Sequence, residues 1–313
     1  MSRPLAWIPF DPALLGDEVP RGVDVVQVDP ADDPGAEGFD RVRFWVPRYL
    51  PGLDFAAALS RMTSLEVLQT QTAGVDDVAP YRPEHVTLCN ARGVHDASTA
   101  ELAVGLLIAS LRNLPEFVRA QDEGRWATQR RPALADSTVL VVGAGSIASA
   151  LRQRLLPFEV SVLRVGTGAR EDDEGLVHAT SELPDLLPRA DAVVLLVPLT
   201  DATRGLVDTD FLSRMRDGAV LVNVARGPVV DTDALLAETS AGRLLAALDV
   251  TDPEPLPPEH PLWRSPGVLI SPHVGGATSA MQPRVHALLR AQLTRYAAGA
   301  PLANVVAGPA SRP

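Results

Sequence analysis

The stretch Ser137–Thr138–Val139–Leu140–Val141–Val142–Gly143–Ala144–Gly145–Ser146–Ile147–Ala148 constrains this chain more than any other. An apolar run of strand length enters two glycines and then a segment able to open a helix. In that order Gly143 permits a tight turn. Gly145 removes the side chain that would keep a pyrophosphate off the backbone, and Ala148 is small enough for helix and strand to pack closely. The N–H groups of the first helical turn, at Ser146 and Ile147, would then meet the phosphates. Glycine turns also serve as plain loop geometry, so the motif alone leaves a loop and a dinucleotide site both open.

Composition narrows the chemistry around that turn. With 313 residues, 46% apolar and 21% charged, the chain is long enough for two domains and reads as soluble and globular. A net charge of -11 argues against a nucleic-acid partner, which would require a basic face. The sequence contains no lysine, so Schiff-base chemistry and a lysine acid or base are excluded, and any cationic anchor is arginine. The single cysteine, Cys89, excludes an intramolecular disulfide framework and a cysteine-rich metal site; its apolar context reads as a buried structural thiol. No metal set is expected. Pro4, Pro9 and Asp11 interrupt the N-terminal apolar segment before it forms a signal-peptide core, and no run approaches a membrane span. The expected compartment is the cytoplasm.

Along the chain, short strand-like runs at Val23–Val28, Val42–Val46, Leu65–Gln69 and Val86–Asn90 accompany a helical pattern at Phe55–Arg61. The Ala73–Gly74–Val75 turn follows the third of these strands and can present backbone N–H groups to an anion. A long helix is expected over Thr99–Arg112, with Ser98 and Glu101 at capping-box spacing and apolar residues on more than one side. Pro115 either kinks it or begins a second helix. From Thr138 onward strands and helices alternate through Val160–Val165, Ala192–Val197, Ala219–Val224, Leu244–Val250 and Val268–Ile270. Nearly continuous apolar strands with helices between them imply a parallel α/β sheet covered on both faces. A last helix covers roughly 280–298.

The second strand of a dinucleotide unit normally ends in an acid that holds a ribose hydroxyl. Here it ends in Gly166–Thr167–Gly168–Ala169–Arg170. With the carboxylate missing, a 2'-phosphate is not repelled, and Thr167, Arg170 and Arg164 are available to hold it. NADP is the preferred cofactor on this reading; NAD is the alternative if Glu171 or Asp172 reaches back to the ribose. Farther on, Arg226, Glu254 and His273 each follow a strand, and parallel strands deliver their carboxyl ends to one edge. Singly they read as two surface charges and a structural histidine. Together they suit a 2-keto acid: a guanidinium for the carboxylate, an imidazole to give the carbonyl oxygen its proton, and a carboxylate to orient that ring.

These residues carry a resemblance. With Val197–Pro198–Leu199–Thr200, Thr203, Asn223–Val224–Ala225–Arg226–Gly227, Leu248–Asp249–Val250, Glu254–Pro255–Leu256–Pro257, His260–Pro261–Leu262 and Ser271–Pro272–His273, the chain resembles the D-isomer-specific 2-hydroxyacid dehydrogenases. The glyoxylate/hydroxypyruvate reductases belong to that group. The resemblance implies a Rossmann-type dinucleotide-binding domain at 98–280 and a smaller, discontinuous flavodoxin-like α/β substrate domain at 1–97 and 281–313. It also implies NAD(P)H-dependent reduction of a small 2-keto acid to a D-2-hydroxy acid, and a homodimer formed through the long helix. Arg226, Glu254 and His273 fall on the catalytic positions, and Ala73–Gly74–Val75 on the substrate-carboxylate loop. Asp249 falls on the nicotinamide-binding aspartate, with Pro198, Thr203, Ala225, His273 and Gly275 also beside the cofactor. Tyr49 is a weaker candidate on the substrate side. Ala148 departs from the usual third glycine, and Gly166 replaces the aspartate of NAD-preferring relatives. Two rival readings keep the fold without turnover: a dinucleotide-sensing regulatory protein, and a structural domain that holds no cofactor.

Overall fold

The computed structural model describes residues 3–16, 20–49 and 52–309. Its strands are β1 (Leu5–Ile8), β2 (Asp24–Gln27), β3 (Val42–Trp45), β4 (Val67–Gln69), β5 (Thr87–Cys89), β6 (Thr138–Val142), β7 (Ser161–Gly166), β8 (Arg170–Asp172), β9 (Gly175–Ala179), β10 (Ala192–Leu195), β11 (Val220–Asn223), β12 (Leu245–Leu248), β13 (Val268–Ile270) and β14 (Val305–Ala307). The helices are α1 (Phe55–Arg61), α2 (Asp96–Leu111), α3 (Leu114–Asp122), α4 (Ser146–Leu155), α5 (Leu183–Leu186), α6 (Thr209–Arg214), α7 (Thr232–Ser240) and α8 (Met281–Ala297). The chain divides into two compact units, 1–95 with 279–313 and 96–278. These boundaries lie two residues before those expected from the sequence.

In the first unit the sheet order is β14-β5-β4-β3-β1-β2, parallel except for β14. Leaving out β14, this is the 2-1-3-4-5 order of flavodoxin-like folds. Strand periodicity sorts the core onto two faces. Ala6, Ile8, Phe44 and Val67 pack against Val285, Leu289 and Leu293 of α8, whereas Trp7, Trp45, Leu68 and Leu88 pack against Phe55 and Leu59 of α1. β1 lies in the N-terminal apolar segment, bracketed by Pro4 and Pro9, which cut it to four residues.

The second unit holds an eight-stranded sheet, β13-β12-β11-β10-β6-β7-β9-β8. Every pairing in it is parallel except β8 with β9. Counted from β6 and omitting β8, the order begins 3-2-1-4-5-6, so the sheet reverses direction between β6 and β10. Leu140, Val142, Val193 and Leu195 point into one core, and Val139, Val141, Ala192 and Val194 into the other. Ala148 and Leu151 of α4 and Ala100 and Leu107 of α2 close the second core, which is why position 148 must be small. α2 starts at Asp96, so the expected cap at Ser98 is absent. Ser98 lies inside the first turn, buried, with its hydroxyl 2.7 Å from Thr278 Oγ1. Among the described residues no helix is long and apolar enough to cross a membrane, and no acidic, histidine and cysteine side chains gather as a metal site.

Candidate active site

The glycine turn joins β6 to α4 at the switch between β6 and β10, where open α/β sheets bind ligands. Gly143 has φ +126°, and a Cβ there would lie 2.5 Å from the Leu196 carbonyl oxygen, so only glycine fits. A Cβ at Gly145 would meet nothing within 4 Å. That open space over the first turn of α4, at Ser146 and Ile147, suits a pyrophosphate held by backbone N–H groups. Across the switch, Pro198 is exposed after β10. Thr203 closes its loop by donating to the Pro198 carbonyl at 2.6 Å and accepting from the Thr200 N–H at 2.8 Å.

At the end of β7, Gly166 leaves room that Arg170 occupies: a Cβ at 166 would lie 2.9 Å from Arg170 Nη1 and 3.4 Å from the Ala144 Cβ. Arg170 and Thr167 are exposed. Arg164 is not available to a phosphate, contrary to the sequence expectation. Its guanidinium is 6% exposed and donates to both oxygens of Asp172 (2.6 and 3.1 Å), to Glu174 (3.1 Å) and to the Gly175 carbonyl (2.7 Å). A buried guanidinium demands such partners, and the polar run 170–174 folds into the β8–β9 hairpin around it. The same pairing occupies Asp172, one of the two acids, with Glu171, that the NAD alternative offered to a ribose.

The ends of β11, β12 and β13 carry the other candidates. Asn223, 1% exposed at the end of β11, accepts from the Ala225 N–H (3.0 Å) and donates to the Arg226 carbonyl (2.9 Å), fixing the turn that presents Arg226. The next residue packs flush: a Cβ at Gly227 would collide with the Thr251 carbonyl and lie 2.8 Å from the Asp252 nitrogen. The Arg226 turn is thereby seated on the loop that carries Glu254. His273 Nδ1 lies 2.5 Å from Glu254 Oε1. This hydrogen bond is the main reason that the Glu254 carboxyl sits below its usual range; the charges of His273 and Arg226 push the same way, against partial burial. Glu254 is thus an ionised acceptor, His273 carries a proton on Nδ1, and Nε2 is left for exchange.

His273 adopts φ +52°, a left-handed conformation that needs outside support. Asp249 supplies it. The Asp249 carbonyl accepts the His273 N–H at 2.7 Å, and its carboxylate accepts from Ser271 Oγ (2.6 Å), Val274 N (2.9 Å) and Gly275 N (2.9 Å). At 3% exposure, Asp249 acts in the structure as the anchor of the His273 loop. A Cβ at Gly275 would come within 2.9 Å of that carboxylate, so the close approach requires glycine.

Residues 104–275 match the model of the D-isomer specific 2-hydroxyacid dehydrogenase NAD binding domain. The chain is 37% identical over 226 residues to human glyoxylate reductase/hydroxypyruvate reductase, covering 69% of each. The chain belongs to the D-isomer-specific 2-hydroxyacid dehydrogenase family. As a member it is an oxidoreductase dependent on NAD(H) or NADP(H). Two solved structures superpose over nearly the whole chain. A D-isomer specific 2-hydroxyacid dehydrogenase from Xanthobacter autotrophicus, in complex with NADPH and MES, is 28% identical with TM-score 0.82, covering 98% of both chains. An NADPH-dependent glyoxylate/hydroxypyruvate reductase from Sinorhizobium meliloti, in complex with NADP and malonate, is 29% identical with TM-score 0.81, covering 100% of this chain and 99% of its own.

In the smaller unit of this dehydrogenase, three successive carbonyls around Ala73–Gly74–Val75 are held by side-chain donors. Thr70 Oγ1 donates to the Thr72 carbonyl (3.0 Å), Asn90 Nδ2 to Ala73 (2.7 Å) and Thr72 Oγ1 to Gly74 (2.7 Å). Tyr49 packs beside His95, ring centres 5.5 Å apart, and His95 Nε2 lies 2.6 Å from the Gln71 carbonyl. Asn90, Asn223 and Ser271 were not singled out from the sequence. Asn223 and Ser271 stand in motifs that carry the family resemblance, but as single residues each is only a polar residue at the end of a strand, as is Asn90, which capping and turns use just as often.

Proposed function

We propose that this enzyme reduces a short 2-keto acid of the glyoxylate or hydroxypyruvate kind to the D-2-hydroxy acid, with NADPH as the donor. The observation that carries the reading is the His273–Glu254 pair at 2.5 Å, with the Arg226 charge beside it. Relatives named for this activity and the NADP complexes of similar structures support it. The residues fit a dinucleotide: open space over Gly145, backbone N–H groups at Ser146 and Ile147, and Arg170 with Thr167 where a 2'-phosphate would lie. Pro198, Thr203, Ala225 and Gly275 are assigned to the remainder of the cofactor's path, and Asp249 to the support of the loop beside the nicotinamide. Bound there, the reduced nicotinamide supplies the hydride.

Arg226 binds and orients the substrate carboxylate. His273 gives the proton on Nε2 to the carbonyl oxygen as charge develops there, while Glu254 holds the ring through Nδ1. In the reverse direction the neutral imidazole takes the hydroxyl proton. The Ala73–Gly74–Val75 turn offers backbone N–H groups to a carboxylate, and Tyr49 belongs to the substrate side. The working form is a homodimer, and the compartment is the cytoplasm, where a lone reduced thiol such as Cys89 is ordinary. The test is a two-cofactor screen against short and branched 2-keto acids, followed by absorbance. Turnover with NADPH, lost in His273→Ala while dinucleotide binding persists, is the expected result. Binding without turnover of any keto acid would favour a sensor; normal turnover in His273→Ala would remove the imidazole from the reaction.

A further inference from the structure

We infer that Arg164 sets the choice between dinucleotides without touching either one, by pairing with the carboxylates of Asp172 and Glu174 and so offsetting part of the negative charge beside Arg170. This rests on the reading that Arg170 receives a 2'-phosphate. The sequence places Glu171, Asp172, Asp173 and Glu174 directly after that arginine. Four carboxylates beside one guanidinium would repel a phosphate carrying close to two negative charges.

The fold answers this with a buried cation. Arg164, on β7, faces the hairpin and binds Asp172 through both of its oxygens; it reaches Glu174 with the same guanidinium. The Glu174 backbone N–H closes onto Asp172 Oδ1 at 2.9 Å, and its second carboxylate oxygen accepts from Ser149 Oγ on α4. The hairpin is therefore tied to the helix that the glycine turn opens. Strand alternation sends Glu171 to the face opposite Arg170 and Asp172, and Asp173 sits exposed at the hairpin tip. What remains toward the glycine turn is Arg170, lying over Gly166 with Nη2 3.4 Å from the Ala144 carbonyl. Arg164 acts as a positioning and screening residue: it pairs with two acids, cancels one of their two charges, and holds the strand that aims Arg170.

The experiment measures dissociation constants for NADPH and NADH from nicotinamide fluorescence, on the full-length protein, with thermal melting alongside. Arg164→Met is expected to weaken NADPH about tenfold while NADH changes about twofold or less, with the loss growing at low salt. Asp172→Asn and Glu174→Gln added to Arg164→Met should bring NADPH back to within about threefold of the parent. Asp172→Asn alone leaves Arg164 balanced by Glu174, removes the net negative charge beside Arg170 and should tighten NADPH relative to NADH; it also serves as the test if Arg164→Met does not fold. An unchanged NADPH-to-NADH ratio in Arg164→Met, equal weakening of both with no recovery in the triple variant, or an unaltered ratio in Asp172→Asn would overturn the inference. A parent enzyme that prefers NADH would instead defeat the reading of Arg170; the response of the ratio to Arg164 is read separately.

Discussion

Glu254 and His273 are joined by one short hydrogen bond, accepted by the Glu254 carboxylate. Because that bond lowers the Glu254 carboxyl below its ordinary 4.5, the sign of its linkage is fixed. The contribution of Glu254 is complete above pH 4.5 and is lost as pH falls through the lower, folded value. Glu254→Gln should remove this acid-side loss from a melting-temperature profile and lower kcat by roughly 10²-fold, the usual scale for a proton-transfer assembly. A variant with parental kcat and an unchanged acid limb would sever Glu254 from the imidazole's work. Cys89 makes a simpler case. Buried in the first unit, its thiol is pushed up to about 11 by desolvation, so at neutral pH almost no thiolate exists. Thiol reagents should label the native protein only as fast as it unfolds; stoichiometric labelling of the folded enzyme would contradict the burial.

Elements explain what single residues cannot. Arg226 and Glu254 come from different loops, and Gly227 lets one sit on the backbone of the other at Thr251. Gly227→Ala must push those loops apart, so it should lower kcat and melting temperature together, by about 1–3 kcal/mol in stability. Unchanged kinetics would mean that the two loops are not coupled. At the other end of the sheet, Gly166→Asp should displace Arg170 and restore an acid to the ribose position, raising KM for NADPH relative to NADH about tenfold or more. A constant ratio would count against Arg170. The alternating strands and helices from Thr138 onward made the parallel sheet legible, because strands buried on both faces are almost wholly apolar. The β8–β9 hairpin was not legible. Arg170–Glu171–Asp172–Asp173–Glu174 has no hydrophobic alternation, and only a buried Arg164 gives the run a reason to fold. For the same reason Arg164 looked available and is not. The start of α2 was misplaced because Ser98 has cap chemistry but spends its hydroxyl on Thr278. The grouping of His273 with Glu254 could be reasoned from order along the chain. The anchoring of His273 by the Asp249 carboxylate could not, since the left-handed backbone at His273 leaves no mark in the sequence.

At the scale of the whole molecule, the second unit has more apolar surface than a single chain needs. α2 buries Ala100, Ala103, Leu107 and Leu111, and Val104 and Ile108, at the margin of the same face, are only half-buried. α3 continues the surface with Leu114 at 44% and Val118 at 57% exposure, and Trp126 stands 96% exposed just beyond it. We propose that a second copy covers these residues and meets them with the same residues. Such an isologous contact has to bury on the order of 1,000 Å² to persist. Light scattering after gel filtration should therefore give twice the 33.2 kDa chain mass. Trp126→Ser with Val118→Glu should shift the species toward a single chain, and Val118→Glu alone, which keeps Trp126, should red-shift its emission as the indole returns to water. A parent protein that runs as a monomer, with emission already typical of water-exposed indole, would leave this surface without its partner.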